Sequence, residues 1–134
     1  MKSNEVINIG SKLLKEKNIN SYKLDSEIIL SHILKIKREQ LLISEKEVSY
    51  QDFNIFNQML TRRSNKEPIA YITNQKEFRS KNMYVASNVL IPRPETELLI
   101  DPLISKFKGK NLFFLDVGVG SGCIIFSLLK ELSM

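Results

Sequence analysis

Apolar residues recur at helical spacing near the start of the chain. Val6, Ile9 and Leu13 are separated by three or four residues, as on one face of an α-helix, with Ile7 and Leu14 beside them. Ser3 is suited to cap the N-terminus of such a helix, because its side-chain oxygen can accept a hydrogen bond from a free backbone N–H. The pattern predicts an amphipathic helix over residues 3–17, with this apolar face turned toward a core.

The helical pattern continues through the first half of the chain. The segment 24–36 is apolar over more than half of a helix circumference, which predicts a helix in the middle of a bundle. Further helices are predicted over residues 38–43 and 50–64, and Pro68 is suited to the first turn of a short one. We therefore predict a small all-helical domain over residues 1–74.

After this domain the pattern becomes that of short extended segments. Residues 77–79 and 83–85 combine aromatic and β-branched side chains, which predicts a β-hairpin with its turn at residues 80–82. Residues 89–91 are predicted as a third extended piece. A hairpin linker is therefore expected over residues 75–94.

A second helical pattern starts at Pro94, a residue favoured in the first turn of a helix. Pro102 lies inside this pattern, so a kink or a restart of the helix is expected there. Gly109 is a typical C-terminal signal.

A glycine-rich loop near the end of the sequence carries the candidate chemistry. An apolar run of strand type ends at Asp116, and three of the five glycines follow at every second position, at Gly118, Gly120 and Gly122. A helical pattern then begins. A strand, a glycine loop and a helix form the first βα unit of a nucleotide-binding α/β domain. Neither the dinucleotide spacing G-x-G-x-x-G nor the Gly-Lys-Ser/Thr of a phosphate loop is present.

Composition and charge change this picture little. The formal net charge is +5, and the interpretation we favour is a lysine-rich solvated surface rather than a nucleic-acid site. The single Cys123 excludes a disulfide framework and is typical of a reducing cytoplasm. No apolar run reaches the roughly 18 residues of a membrane span, so no membrane partner is expected.

The sequence resembles known families in two places. The spacing Asp-x-Gly-x-Gly-x-Gly at 116–122 resembles motif I of class I S-adenosylmethionine methyltransferases. Residues 68–73 and 88–97, with the string Ile-Pro-Arg-Pro-Glu-Thr-Glu, resemble the linker of the release factor glutamine methyltransferases, the HemK/PrmC family. Residues 24–34 are similar to the helical domain of that family. The resemblance covers nearly the whole chain.

The resemblance implies an α/β protein: a small all-α bundle, a β-hairpin linker, and over residues 95–134 the first βα unit of a Rossmann-like methyltransferase domain. It also implies the activity, which is methylation of the glutamine side-chain nitrogen (N5) in the Gly-Gly-Gln motif of peptide chain release factors. The implied cofactor is S-adenosyl-L-methionine, the implied partner is a release factor bound by the helical domain, and neither a metal nor a direct nucleic-acid partner is expected.

Candidate site residues follow from the same resemblance. Asp116 is expected to help hold the cofactor's amino group, directly or through water. Glu95 and Thr96 either line the cofactor pocket or belong to a rigid linker with a helix cap, and both interpretations stay open. The complete set of expected cofactor-binding residues is Asp116, Gly118, Val119, Gly120, Ser121, Gly122, Thr96 and Glu95. Arg62 and Arg63 are expected to form a solvated helix end rather than a release-factor contact.

No catalytic residue is expected within this chain. In the family an Asn-Pro-Pro-Tyr motif orients the acceptor amide, and the sequence lacks it. We therefore expect the chain to be the N-terminal part of a longer protein and not to be catalytic by itself. Two alternatives stay open: a non-catalytic module that binds release factors, and a methyltransferase of the same architecture acting on RNA or another substrate.

A few positions depart from the family pattern. Asn74 and Ser80 stand where glycine is common, Arg79 replaces an aromatic residue, Val119 replaces a frequent threonine, and Pro102 interrupts the linker helix. These departures bear on cofactor affinity more than on family membership.

Overall fold

The computed structural model describes residues 1–132, which fall into two compact units. The first unit, Met1–Thr73, is helical, and the second begins at Asn74. The helices of the first unit are α1 (Ser3–Glu16), α2 (Tyr22–Ile33), α3 (Arg38–Ile43), α4 (Tyr50–Ser64) and α5 (Ile69–Thr73). The second unit contains β1 (Gln75–Phe78), β2 (Lys81–Tyr84), a 3-10 helix (Pro94–Leu99), α6 (Ile100–Phe107) and α7 (Cys123–Leu132). The five predicted helices of the first unit are all present.

The core of the first unit lies between α1, α2 and α4. Its fully buried apolar side chains are Val6, Leu14, Ile29, Leu30, Leu41, Phe56 and Leu60. The predicted face of α1 is partly wrong, because Ile9 and Leu13 remain 43% and 36% exposed. Gly10 takes the central place on the buried face. A Cβ there would lie 2.7 Å from Cζ of Phe56, so the ring of Phe56 on α4 packs where a larger side chain would stand.

Ser3 does not cap α1 as predicted. Lys2 is the N-cap residue, and Ser3 is the first residue of the helix and is fully buried. The Ser3 hydroxyl accepts a hydrogen bond from the backbone N–H of Lys46 at 3.0 Å, and the Ser3 N–H donates to the Lys46 carbonyl at 2.9 Å. The side chain of Ser3 is therefore engaged in a tertiary contact with the segment before α4, and it does not cap α1.

Two buried acids tie the helices of the first unit together. Asp25 and Glu27 on α2 are each only 4% exposed. Asp25 accepts hydrogen bonds from Arg63 at 2.6 Å and from Ser21 at 2.7 Å, and Glu27 accepts one from Arg38 at 3.0 Å. Buried carboxylates require such partners, because desolvation without them is costly.

The hairpin of the second unit has a two-residue turn. Gln75 pairs with Tyr84 and Phe78 with Lys81, so Arg79 and Ser80 form the turn instead of residues 80–82. Their φ angles of 48° and 58° are both positive, as a type I′ turn requires. Within the described residues, the predicted extended piece at 89–91 does not join the sheet. Val89 instead donates its N–H to the Ala86 carbonyl at 2.9 Å and forms a turn.

The second helical segment begins at Pro94 and restarts near Pro102, as predicted. The first part is the 3-10 helix Pro94–Leu99, and α6 follows it directly. Pro102 lies in the first turn of α6, where a missing N–H leaves no intrahelical bond unmade. Gly109, with a φ of 75°, lies just beyond the helix end.

The apolar run before the glycine loop is not assigned as a strand. In the described part of the chain β1 and β2 form the only sheet, and residues 111–116 have no strand partner. Phe113 and Leu115 are therefore 105% and 88% exposed. A parallel strand is stabilised by ladders to its neighbours, and none lies beside this segment here. The core of the second unit is small and consists of Phe78, Ile100, Cys123 and Leu128, with half-buried residues around them.

Candidate functional site

The glycine loop turns tightly in front of α7. Gly118, Gly120 and Gly122 have φ angles of 80°, 56° and 75°, which lie in the left-handed region that glycine adopts at little cost. The N–H of Gly122 donates to the carbonyl of Val119 at 2.8 Å, and the Gly122 carbonyl accepts from Phe126 in the first turn of the helix. The spacing of the glycines thus matches the backbone conformation that the loop takes.

Space around the loop is open on the side of the first two glycines. A Cβ at Gly118 would have no neighbour within 4 Å, and one at Gly120 would meet only the Gly118 carbonyl at 3.8 Å. At Gly122 a Cβ would lie 2.6 Å from Cδ2 of Phe126. The positive φ angle is therefore the reason for glycine at positions 118 and 120. At position 122 glycine is favoured both by the positive φ angle and by the lack of space for a Cβ atom. The open side leaves room for a ligand to approach the backbone.

Asp116 carries an unsatisfied carboxylate oxygen at the start of the loop. The side chain is half-buried, and its Oδ2 atom is buried without a hydrogen-bond partner in the described residues. Buried polar atoms in folded proteins are usually paired, so an unpaired one calls for a donor. A cationic amino group would supply that donor.

An apolar groove lies next to Asp116, between α6, residues 112–115 and α7. Its volume is about 370 Å³. It is lined by Leu103, Phe107, Leu112, Phe113, Phe114, Leu115, Asp116, Ile124, Ile125 and Leu128. The carboxylate of Asp116 is the acidic group among these side chains. The groove thus has apolar walls and one acid, and the glycine loop follows that acid in the chain without lining the groove.

Glu95 and Thr96 lie in the first turn of the 3-10 helix. Glu95 is exposed, and Thr96 is half-buried with its backbone N–H donating to the Arg93 carbonyl at 3.1 Å. In the described residues no hydrogen bond joins either side chain to the glycine loop. The structure therefore brings Asp116 and the loop residues 118–122 together and leaves the linker residues as a separate group.

Sequence reasoning missed a clamp on the hairpin turn. The carboxylate of Glu97 accepts the backbone N–H of Arg79 at 3.1 Å, and the Arg79 guanidinium donates to Asp101 at 2.7 Å. Two signals were visible in the sequence. Glu97 belongs to the string that resembles the family, and Arg79 departs from the family pattern. The clamp fixes a turn with two left-handed residues against the helical segment that carries Glu95 and Thr96.

The two adjacent arginines of α4 are both engaged inside the first unit. Arg63 pairs with buried Asp25, and the Nε of Arg62 donates to Glu67 at 2.8 Å. This pair lowers the pKa of Glu67, chiefly through the hydrogen bond from Arg62. The expectation of a solvated basic helix end is therefore wrong for Arg63, whose side chain is only 17% exposed.

Cys123 and His32 are two further side chains with reactive groups. Cys123 is a buried free thiol in the small core of the second unit. Burial lowers the pKa of His32, so its neutral form is favoured.

Within the described residues, no group of three or more His, Cys, Asp or Glu side chains is placed to hold a metal ion. No helix in that part of the chain is long and apolar enough to span a bilayer.

The helical bundle, the hairpin and the helix that follows the glycine loop are compatible with a helical domain joined to the start of a methyltransferase domain. A family model described as the PrmC N-terminal domain matches residues 5–73. The chain belongs to this family.

Curated relatives extend the similarity into the second unit. The chain is 42% identical over 122 residues to the release factor glutamine methyltransferase of Leptospira interrogans, which covers 89% of this chain and 43% of the relative. It is 36% identical over 119 residues to that of Nitratidesulfovibrio vulgaris, covering 88% of this chain and 40% of the relative. It is also 37% identical over 148 residues to a bifunctional methyltransferase of Rickettsia typhi. That alignment covers 96% of this chain and 29% of the relative. The chain thus spans about two fifths of the length of the first two relatives.

Proposed function

We propose that the protein to which this chain belongs methylates the side-chain amide nitrogen of a glutamine in peptide chain release factors, within their Gly-Gly-Gln motif. The observation that carries the proposal is the similarity to release factor glutamine methyltransferases, which runs through both units rather than the helical unit alone. S-adenosyl-L-methionine is the proposed methyl donor, and the cytoplasm is the proposed location.

The residues around the glycine loop support a cofactor site. The unpaired Oδ2 of Asp116 would accept a hydrogen bond from the cofactor's amino group, and the open backbone at Gly118 and Gly120 would allow close approach. Val119, Ser121 and Gly122 complete the loop. When bound, the cofactor supplies an activated methyl group. An amide nitrogen is a weak nucleophile, so the contribution of the protein is to hold the reacting groups in position.

The proposal gives each of three segments of the chain a separate role. Residues 1–74 would bind the release factor, residues 75–94 would serve as the linker, and residues 95–134 would contribute to the cofactor site. Glu95 and Thr96 lie on the linker helix as a separate group, and their two interpretations, lining of the cofactor pocket or part of a rigid linker with a helix cap, both stay open. The Glu97–Arg79 clamp would keep this helix in place beside the hairpin.

Calorimetry with S-adenosylhomocysteine tests the cofactor site on this chain. The wild-type chain is expected to bind, and Asp116→Asn is expected to weaken binding about tenfold, because a charge-assisted hydrogen bond is lost. Glu77→Gln is the matched control, since Glu77 is an exposed acid on β1 of the same unit. A folded wild-type chain that gives no heat would contradict the cofactor site and favour a non-catalytic binding module.

Mass spectrometry tests the substrate. The full-length protein, incubated with a release factor and S-adenosylmethionine, is expected to add one methyl group to the glutamine of the Gly-Gly-Gln motif. A release factor whose glutamine is replaced by asparagine is the control. Methylation of RNA with an unmodified release factor would refute the proposed substrate.

A further inference from the structure

The segment before the glycine loop, residues 111–116, has free backbone groups along its whole length. In the described part of the chain, none of its N–H or C=O groups makes a hydrogen bond, and it forms neither a helix nor a turn. It contains no proline, so every residue keeps its N–H donor. Unpaired backbone groups in an apolar extended segment are a template for pairing with another chain.

Exposure alternates along this segment as it does along a strand at a surface. Phe113 and Leu115 are largely exposed, whereas Leu112 and Phe114 are 42% and 37% exposed and line the groove between α6 and α7. The ring of Phe114 packs edge-on against Phe107 of α6, with the ring centroids 6.1 Å apart. One face of the segment therefore contacts helices, and the opposite face is open.

The charges around this segment complement a second copy of the same segment. Residues 108–118 contain three charged side chains, which are Lys108, Lys110 and Asp116. When two copies lie antiparallel with Phe113 opposite Phe113, Lys110 of each copy lies opposite Asp116 of the other. Lys108 then lies opposite a glycine. A parallel pairing in register would instead oppose lysine to lysine and aspartate to aspartate, which is unfavourable.

A second antiparallel register is excluded by the backbone before the segment. A shift of two positions would place Lys108 opposite Asp116, so charge alone also allows it. That register would extend the pairing through Gly109, which has a φ of 75° and is not extended. The N–H of Lys110 also donates to the Phe107 carbonyl at 3.1 Å, which ends the helical turn just before the free segment. The register about Phe113 therefore fits both the charges and the backbone.

We propose that residues 111–116 are a self-association site, at which two copies of this chain pair antiparallel about Phe113. Alternate residues of the segment would form the ladder with backbone groups that are free in the single chain. Phe113 would pack against Phe113 of the other copy, as aromatic cross-strand pairs do. The ion pair with Lys110 would use Oδ1 of Asp116, since Oδ2 is the buried oxygen. The inference does not rest on the proposed function, because association is measured without cofactor or release factor.

Sedimentation equilibrium of the wild-type chain and of charge variants tests the self-association site. The wild-type chain is expected to convert from monomer to dimer as its concentration rises. Lys110→Glu and Asp116→Lys are each expected to raise the dimer Kd about tenfold, because each creates two like-charged pairs in a symmetric dimer. An equimolar mixture of these two variants is expected to dimerise again, since every cross-strand pair then joins opposite charges.

A matched control and a further variant complete the series. Lys108→Glu makes the same change of charge at an exposed neighbour that faces a glycine, so the Kd should stay within about twofold. Phe113→Lys opposes two lysines at the centre of the pairing and should abolish the dimer. Because Phe113 is fully exposed, this variant keeps the test valid if Asp116→Lys affects folding. Thermal unfolding followed by circular dichroism verifies that every variant is folded.

Three results would overturn the self-association site as proposed. A wild-type chain that stays monomeric at every concentration would do so, and so would equal dimer Kd values for all variants. Equal losses in Lys108→Glu and Lys110→Glu would exclude the register about Phe113. The proposed function stands or falls separately, because mass spectrometry of the full-length protein decides the methylation of the release factor.

Discussion

Arg62 and Arg63 are neighbours in sequence and differ sharply in their surroundings. Arg63 and Asp25 have side chains that are 17% and 6% exposed, whereas Arg62 and Glu67 are 46% and 31% exposed. Removing one partner of a buried pair leaves an uncompensated charge, but an exposed pair is screened by water. The same residue type in adjacent positions therefore has two different energetic roles.

Replacing each arginine by methionine tests this difference. Arg63→Met is expected to lower the free energy of unfolding by about 3 kcal/mol, because Asp25 loses its cation while it remains buried. Arg62→Met is the control and is expected to cost at most about 1 kcal/mol. Urea unfolding followed by circular dichroism measures both. Equal losses in the two variants would contradict the assignment, and Asp25→Asn combined with Arg63→Met should recover part of the loss.

At the scale of elements, the hairpin shows how tertiary contacts tolerate an unfavourable turn. A two-residue type I′ turn prefers Asn-Gly, and here Arg79-Ser80 occupies it with positive φ at both residues. The contacts of Arg79 with Glu97 and Asp101 compensate for part of this cost. Two departures from the family pattern thus lie in one turn, and one of them supplies the clamp.

Ser80→Gly is expected to stabilise the second unit by about 0.5–1 kcal/mol, because glycine adopts a φ of 58° without the steric cost that serine pays. The measurement is the thermal unfolding midpoint, which should rise. Asn82→Gly, within β2, is the control and should lower the midpoint, since glycine weakens a strand interior. A lower midpoint for Ser80→Gly would contradict this expectation. It would show that contacts of the Ser80 side chain stabilise the turn by more than its positive φ angle destabilises it.

At the scale of the whole molecule, acid is expected to destabilise the fold in two steps. Burial lowers the pKa of His32 below its ordinary value of 6.5, and Arg62 lowers the pKa of Glu67 below 4.5. In both cases the unfolded chain binds the proton more tightly than the folded chain. The stability is therefore complete above each unfolded pKa and is lost as the pH falls through the corresponding range.

Urea unfolding at a series of pH values measures this dependence. The free energy of unfolding should begin to fall just below pH 6.5 and fall further below pH 4.5. His32→Gln should remove the first step and leave the second, which separates the two groups. A stability that rises between pH 7 and pH 5 would refute the effect of His32, because its sign would be reversed.

The fold could be predicted well where structure is local. Helices α1, α2 and α4 follow from apolar spacing, since a helix is closed by bonds four residues apart, and the short α5 was expected from Pro68 in its first turn. The hairpin was expected from its β-branched and aromatic residues, but its turn lies at Arg79 and Ser80 instead of residues 80–82, because the register depends on pairing between two strands. The candidate site was predicted in part. The glycine loop and the helix after it were predicted and are present, whereas the binding roles of Asp116, Glu95 and Thr96 stay predictions.

What the sequence determined by itself was the position of the helices, the conformation of the glycine loop and the family. Only the tertiary structure decided that Gly10 packs against Phe56, that Asp25 and Glu27 are buried with arginine partners, and that residues 111–116 lack a strand partner in the described part of the chain. The reason is physical. Helix periodicity and glycine φ angles are properties of neighbouring residues, but burial of charge and strand pairing depend on groups distant in the chain.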